Sequence, residues 1–508
     1  MEIKNNQKLV VLILCGFITF VGCTKTSNKD RQSAKVDYKS NWESLSQYNP
    51  EPEWFRDAKF GIYFHWGMYS VPAYDSEWYP RNMYIKEHAA YKHHVDTYGS
   101  PLEFEYADFA PDFKAEKFNA EEWAKLFKQA GAQYAGPVAE HHDGFSMWDS
   151  EYTEWDVVDK GPKRDITGEL AKAIRGEGMK FVTTFHHARN NLWKPEGEGW
   201  TGHYEYVKKD FPSLLENEEN AFLYGYMSRE KFLELWSNKL KEVIDKYQPD
   251  LMWFDSWLHE IPDSVKTDYL AYYFNKAHEW NEDVVVTYKQ EDLPSDVGVK
   301  DFEKGRAGEK LEQAFLTDDT ISKGSWSYTE GLTIKSTSVV LHSLIDIVSK
   351  NGQLLLNISP KADGSIPENQ KQVLWEIGDW LDVNGEAIYG TRPWEIYGEG
   401  PTKLKKGPFE GFTDAGEYTW EDIRYTQKGS SIYAILLGWP GANQQVELKA
   451  FARDSLKQPP SVSNISVLGS DEDIKWNLTD DQLEVQTPSR ISNPKAVVFK
   501  VTTRNGSI

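Results

Sequence analysis

Short apolar runs that each end in polar or aromatic side chains recur along this chain, separated by helical patterns, and that recurrence limits the fold more than any other feature. Residues 60–64, 134–139, 181–185, 251–254, 284–287 and 354–358 have the length and composition of buried strands. Residues 120–130, 166–175, 228–247, 264–280, 336–349 and 369–383 space their apolar positions by three and four, as amphipathic helices do. The alternation predicts βα units around a parallel sheet. Phe64 leads into His65-Trp66-Gly67, Ala139 into Glu140-His141-His142-Asp143, Phe185 into His186-His187, Phe254 into Asp255, and Thr287 into Tyr288-Lys289. Chemistry-bearing side chains therefore gather at one end of the sheet. A doubly wound sheet would collect them too, but no glycine-rich nucleotide loop follows any of these strands. The expected fold class is α/β, a (β/α)8 TIM-like barrel with six of its strands visible.

At 508 residues the chain is long enough for two domains. Beyond Arg392-Pro393 the pattern changes to strict alternation with turn residues, as at 431–438, 446–451 and 497–501. This predicts a C-terminal antiparallel β-sandwich over 394–508, with the barrel occupying 48–393. At the other end, Leu9 to Val21 is apolar and too short to span a bilayer, as in a signal peptide, and Gly22-Cys23 resembles a bacterial lipoprotein cleavage site. Residues 1–23 are expected to be a lipoprotein signal with Cys23 as the lipidated residue, and 24–47 a polar tether. Simple secretion and an uncleaved anchor are the alternatives. The expected location is the bacterial cell envelope.

Cys15 and Cys23 are the only cysteines, so removal of the signal leaves no thiol for a disulfide, a zinc site or a nucleophile. The net charge of −22 argues against nucleic acid or an anionic membrane surface as a partner. Aromatic residues make up 14% of the chain, a composition that suits stacking on sugar rings as well as core filling. Asp255, at the end of Leu-Met-Trp-Phe, is the leading catalytic carboxylate, and capping of the helix near Ser264 is its structural alternative. The pairs His141-His142 and His186-His187 each offer at most one metal ligand, since neighbours on a strand face opposite ways, and no His-Glu-x-x-His occurs. The imidazoles are expected to bind hydroxyl groups, with no metal.

Four ordered motifs make a resemblance specific. They are Trp54-Phe55-Arg56-Asp57-Ala58-Lys59-Phe60-Gly61-Ile62-Tyr63-Phe64-His65-Trp66-Gly67 with Ser76-Glu77-Trp78-Tyr79; His141-His142-Asp143-Gly144-Phe145-Ser146-Met147-Trp148; Pro249-Asp250-Leu251-Met252-Trp253-Phe254-Asp255; and Asp346-Ile347-Val348-Ser349-Lys350-Asn351-Gly352 with Leu355-Leu356-Asn357-Ile358. Over roughly 54–393 the chain resembles the α-L-fucosidases of glycoside hydrolase family 29. The resemblance implies a barrel plus a β-sandwich, a retaining exo-acting mechanism, no cofactor, and a fucosylated oligosaccharide or glycoconjugate as substrate. It makes Asp255 similar to the nucleophile and places His65, Glu77, Trp78, His141 and His142 on the sugar, with His186 and Trp326 as further candidates. Lys289 and Arg306 are candidate cations near the pocket. Many relatives carry Lys where Glu140 stands, so the expectation is a reversed charge beside the pocket that alters the accepted aglycone. The resemblance also implies an acid/base on a variable loop, here the one after 284–287, where Glu303, preceded by Phe302, resembles the acidic residue of one branch's loop pattern and leads, with Glu309 and Glu291 as the alternatives. Two other functions remain open: a non-catalytic glycan-binding lipoprotein on a hydrolase fold, and a related glycosidase acting on a galactoside.

Overall fold

The computed structural model describes residues 37–190, 202–407, 409–414 and 416–504. The signal-like segment and Cys23 lie outside the described residues. Eight parallel strands form one sheet in the order β6-β5-β4-β3-β2-β1-β8-β7: β1 Phe60–Phe64, β2 Tyr134–Glu140, β3 Lys180–Phe185, β4 Leu251–Phe254, β5 Val285–Tyr288, β6 Val299–Lys300, β7 Phe315–Thr320 and β8 Gly352–Ile358. A bridge from Asp301 to Leu316, with the Phe302 N–H on the Leu316 carbonyl at 3.0 Å, joins β6 to β7 and closes the barrel. The two strands not foreseen are β6, which is two residues long, and β7, whose Thr317-Asp318-Asp319-Thr320 lacks an apolar run.

The barrel interior is filled by Tyr63, Tyr134, Val138, Val182, Leu251, Trp253, Val285, Val299, Leu316 and Leu355, with Phe55 and Ala58 closing its lower end. Gly61 makes this packing possible, because a Cβ there would stand 2.1 Å from the Tyr134 ring. Outside pack α1 Ala120–Gln129, α2 Ile166–Gly176, α3 Arg229–Tyr247, α4 Asp263–Trp280, α5 Thr337–Ser349 and α6 Glu368–Asn384. Their starts are fixed locally. Asn119 accepts from the N–H groups of Glu121 and Glu122, Asp165 from Gly168 and Ser228 from Lys231, each satisfying donors that have no partner within the helix.

The expected tether through Gln47 is corrected at its end. From Tyr38 the chain lies on α4: the Tyr38 N–H donates to Asn275 Oδ1 at 2.8 Å, Tyr48 stacks on Phe274 at 4.0 Å, and Leu45 is buried. The aromatics Tyr38, Trp42 and Tyr48, dispersed in a polar run, supply the anchoring surface.

After β8 and α6 come β9 Arg392–Glu399, β10 Leu404–Lys406, β11 Phe412–Asp414, β12 Ile423–Lys428, β13 Ser431–Leu436, β14 Gln445–Leu448, β15 Val462–Val467, β16 Trp476–Leu478, β17 Leu483–Gln486 and β18 Val497–Thr503. The sheets β15-β18-β13-β12-β9 and β14-β17-β16 enclose a second core of Tyr425, Ile432, Leu436, Val446, Leu448, Val485 and Phe499. The alternate residues Tyr433, Ile435 and Val498 join the barrel's core instead, so the larger sheet is covered on both faces.

Candidate active site

Alternation along each strand explains which side chains reach the pocket. Tyr63, Val182, Trp253, Val285, Val299, Leu316 and Leu355 face the barrel interior. Continuing each strand in steps of two residues brings His65, His186, Asp255, Lys289, Asp301, Asp318 and Asn357 to its C-terminal mouth. On β2 the register shifts between Val138 and Glu140, so that Glu140 pairs with Phe185 and His141 turns inward in its place.

Asp255 follows β4 directly, its N–H donating to the Phe185 carbonyl at 3.0 Å, and it does not cap α4, which begins after Pro262. Its Oδ2 accepts from Arg189 Nε at 2.9 Å, and its Oδ1 lies 3.2 Å from Lys289 Nζ. Burial alone would raise its pKa. The charges of Arg189 and Lys289 reverse that and hold the carboxyl well below the usual carboxylate range. The same ammonium of Lys289 lies 2.8 Å from Glu303 Oε2 and 3.5 Å from Asp318 Oδ2. Its two contacts limit the separation of Asp255 Oδ1 and Glu303 Oε2 to at most about 6 Å, a bound that admits the about 5–5.5 Å of retaining glycosidases and lies below the 6.5–9.5 Å of inverting ones. Burial raises the Glu303 pKa; Lys289 opposes this, and the charges of Asp318 and Asp255 add to it. Asp301 and Asp318 form a second carboxyl pair. Burial and the Asp318 charge push the Asp301 pKa well above its ordinary value.

The imidazoles line the opposite wall. Asn357 Nδ2 donates to Thr320 Oγ1 at 3.0 Å and to the Trp326 carbonyl at 2.7 Å, which fixes its Oδ1 toward His65. That oxygen accepts from His65 Nδ1 at 2.8 Å, so Nδ1 carries the proton and Nε2 presents a lone pair. Burial lowers the His65 pKa to about 3 and takes His141, His142 and His186 well below the ordinary value, so all four are neutral at pH 7. His141 and His186 are 4.3 Å apart between ring centres, and each keeps a buried Nδ1 with no protein partner among the described residues. Trp78 stacks on His142 at 3.8 Å. Glu77 accepts from the Trp326 N–H at 3.0 Å and the Ser327 N–H at 3.4 Å, which holds the Trp326 loop against His65.

The ligating atoms of His65, His141 and His186 lie within 4.8 Å of one another. The nearby cations Arg189 and Lys289 oppose a metal ion there, and His65 Nδ1 is already engaged by Asn357.

Several expectations are corrected. Glu291 is 86% exposed and paired with Lys300, and Glu309 is exposed beside Tyr397, whereas the Glu303 side chain is only 20% exposed and shares Lys289 with Asp255. Arg306 pairs with Asp346 at 3.1 Å, not with the pocket. Glu140 points away from the sugar because of the register shift, and both its oxygens accept from Lys239 of α3, at 2.8 and 2.9 Å, in a fully buried pair. Its charge is therefore answered inside the wall. Lys239→Met is expected to destabilise the protein by about 3–5 kcal/mol, because an unpaired carboxylate remains buried, while Glu140→Lys combined with Lys239→Glu recovers much of the loss. Denaturant unfolding of the variants checks this, and a stable Lys239→Met would remove the pair's importance. Arg189, Asp301, Asp318 and Asn357 were not foreseen. The step-of-two rule finds Asn357 from the visible strand at 354–358, and finds Asp301 and Asp318 only once β6 and β7 are placed, whereas Arg189 lies beyond the strand end and carries no such signal.

Residues 25–386 match the family model described as alpha-L-fucosidase, and 417–502 match that of the alpha-L-fucosidase C-terminal domain. The chain belongs to the α-L-fucosidase family. Among relatives of this α-L-fucosidase family member, human (Homo sapiens) tissue alpha-L-fucosidase is 30% identical over 501 residues, 96% of each chain. Bovine (Bos taurus) tissue alpha-L-fucosidase is 31% identical over 457 residues, 87% of this chain and 85% of that one. The crystal structure of Thermotoga maritima alpha-fucosidase in complex with fucose is 30% identical, covers 92% of this chain and 100% of that chain, and superposes with a TM-score of 0.71.

Proposed function

We propose that this chain is a retaining exo-α-L-fucosidase in which Asp255 attacks the anomeric carbon while Glu303 protonates the departing oxygen. The observation that carries the assignment is the single ammonium of Lys289 shared by the two carboxyl groups. Asp255, held ionised, supplies the electron pair that displaces the leaving group and forms a glycosyl ester. Glu303, raised by burial and by the Asp255 charge, supplies the proton. Ester formation removes that charge from beside Glu303, whose pKa then falls, and the carboxylate takes a proton from the water that cleaves the ester. Fucose leaves with its original configuration. The neutral imidazoles of His65, His141, His142 and His186, together with Glu77, orient the sugar's hydroxyl groups, and Trp78 and Trp326 close its apolar faces.

Hydrolysis of an aryl α-L-fucoside followed by proton NMR tests this directly. The α anomer of fucose is expected first, and initial release of the β anomer would exclude the double displacement. A galactoside cleaved faster than the fucoside would move the substrate class to galactosides.

We also propose that Cys23 anchors the enzyme to a bacterial envelope, on the strength of the apolar Leu9 to Val21 run and the Gly22-Cys23 pair. Cys23→Ala is expected to move the protein from the membrane fraction to the soluble one; unchanged partitioning would defeat the anchor.

A further inference from the structure

The two oxygens of Asp255 meet different cations. Oδ1 lies 3.2 Å from Lys289 Nζ, the ammonium that also lies 2.8 Å from Glu303 Oε2. Oδ2 accepts from Arg189 Nε at 2.9 Å, while Nη2 of the same guanidinium donates to the hydroxyl of Ser256, the next residue along the chain. Both carboxyl groups of a retaining enzyme have to reach the bond that breaks. Oδ1 is the Asp255 oxygen that shares a contact with the proton donor, and Oδ2 is taken up by Arg189.

The guanidinium is itself held in place. Arg189 closes the short helical turn His187–Arg189 that follows β3, and its Cζ lies 5.6 Å from the centre of the Trp78 ring and 5.4 Å from that of Trp257, within reach of cation–π attraction. Trp257, two residues after Asp255, has a φ of 91°, a backbone state that a bulky residue rarely adopts and that gathers at functional sites. The Arg189 and Asp255 side chains are 16% and 10% exposed, so their charge-assisted bond is little screened by water.

We propose that Oδ1 is the attacking oxygen and that Arg189 is a positioning residue, which holds Oδ2 as the carbonyl oxygen of the glycosyl ester and assists the return of charge to the carboxylate when that ester is cleaved. The proposal rests on the retaining fucosidase reading. In the first step a lone pair of Oδ1 forms the bond to the anomeric carbon, the bond to the leaving oxygen breaks, and Glu303 gives that oxygen its proton. In the second, water adds to the anomeric carbon, its proton passes to the Glu303 carboxylate, and the electron pair of the bond to Oδ1 returns to Asp255, whose restored charge Oδ2 shares. Arg189 thus faces a falling negative charge in the first step and a rising one in the second. An interaction accelerates a step only where it is stronger in the transition state than in the state before it, so the guanidinium favours ester cleavage over ester formation. Its electrostatic weight fits this part: burial raises the Asp255 pKa, and among the groups that lower it Arg189 contributes most.

The test compares the full chain with Arg189→Ala and Arg189→Lys on a dinitrophenyl α-L-fucoside, whose leaving group makes ester formation fast. In Arg189→Ala, kcat is expected to fall by roughly a hundred-fold, while kcat/KM, which reports the steps through ester formation, stays within about ten-fold. A burst of dinitrophenol equal to the enzyme concentration precedes the slow turnover, and mass spectrometry of the quenched protein finds one fucosyl group on Asp255. Millimolar guanidinium ion raises kcat of Arg189→Ala and leaves the unsubstituted chain unchanged. The acid limb of kcat/KM moves upward in Arg189→Ala, because the carboxyl is held ionised less strongly and activity is lost as pH falls through a higher value, whereas the alkaline limb set by Glu303 stays in place. Arg189→Lys keeps the charge and shows the same split to a smaller degree; it decides the question if the alanine chain fails to fold. An equal fall of kcat and kcat/KM with no burst and no ester, or unchanged kinetics, would overturn the proposal and leave the fucosidase reading standing. An unsubstituted chain that cleaves no fucoside would overturn that reading, and this assignment with it.

Discussion

Replacing Asp255 by glycine is expected to lower kcat on an aryl α-L-fucoside by roughly ten-thousand-fold or more, and added azide is expected to restore turnover with a β-fucosyl azide as product. Among the described residues the neighbouring carboxylates are engaged elsewhere: Asp318 by the Tyr63 hydroxyl and Glu303 by Lys289. The truncated side chain leaves space between Arg189 and Lys289, two cations that attract a small anion to the face from which the carboxylate attacked. Attack from that face by azide, followed by no second displacement, gives the inverted product. Undiminished hydrolysis by the glycine variant would take Asp255 out of the mechanism.

Substitution of Glu303 is expected to separate substrates by their leaving groups. With Glu303→Gln, kcat/KM on a fucosylated disaccharide falls by roughly a hundred- to ten-thousand-fold, because the sugar oxygen cannot depart unprotonated. On a nitrophenyl fucoside kcat/KM stays within about ten-fold, since that leaving group needs little help, while kcat falls because no base activates water in the second step. The pH profile adds a sign. Turnover requires protonated Glu303, so activity is lost as pH rises through a pKa raised above the ordinary glutamate value, and this alkaline limb of kcat/KM disappears in the glutamine variant. Asp255, held below the usual carboxylate range, stays ionised across the same interval. If Glu309→Gln or Glu291→Gln produced this leaving-group split and Glu303→Gln did not, the acid/base would have to be reassigned.

The six strands visible in the sequence are those whose apolar runs face both the barrel interior and the helices. β7 escaped because its inward Asp318 belongs to the site and its outward Asp319 pairs with Lys335, so it lacks an apolar run. Asp255, His65 and His186 stand out in the sequence because they follow apolar strands, whereas Glu303 stands out by its resemblance to a family loop pattern, with Phe302 before it. Glu140 misled because strict alternation, the rule that works elsewhere, is broken by the register shift on β2, and a shift of one residue turns a pocket residue outward. The role of Lys289 as a shared cation depends on four carboxylates from β4, β6, β7 and the loop between β6 and β7. Spatial convergence of that kind leaves no trace in local sequence.

The loop that presents Glu303 is held from the C-terminal side of the molecule. Arg306 exchanges backbone hydrogen bonds with Phe412 of β11, at 3.0 and 2.9 Å, and its side chain shares Asp346 of α5 with Lys350 and with Arg424 of β12. Three cations, from the loop, the residue just after α5 and the sandwich, thus meet on one buried carboxylate. The catalytic apparatus is consequently not portable. A barrel cut at residue 393, or grafted onto a foreign sandwich, is expected to keep the surroundings of Asp255, the proposed nucleophile, but to lose the splint that holds the loop of Glu303, the proposed proton donor.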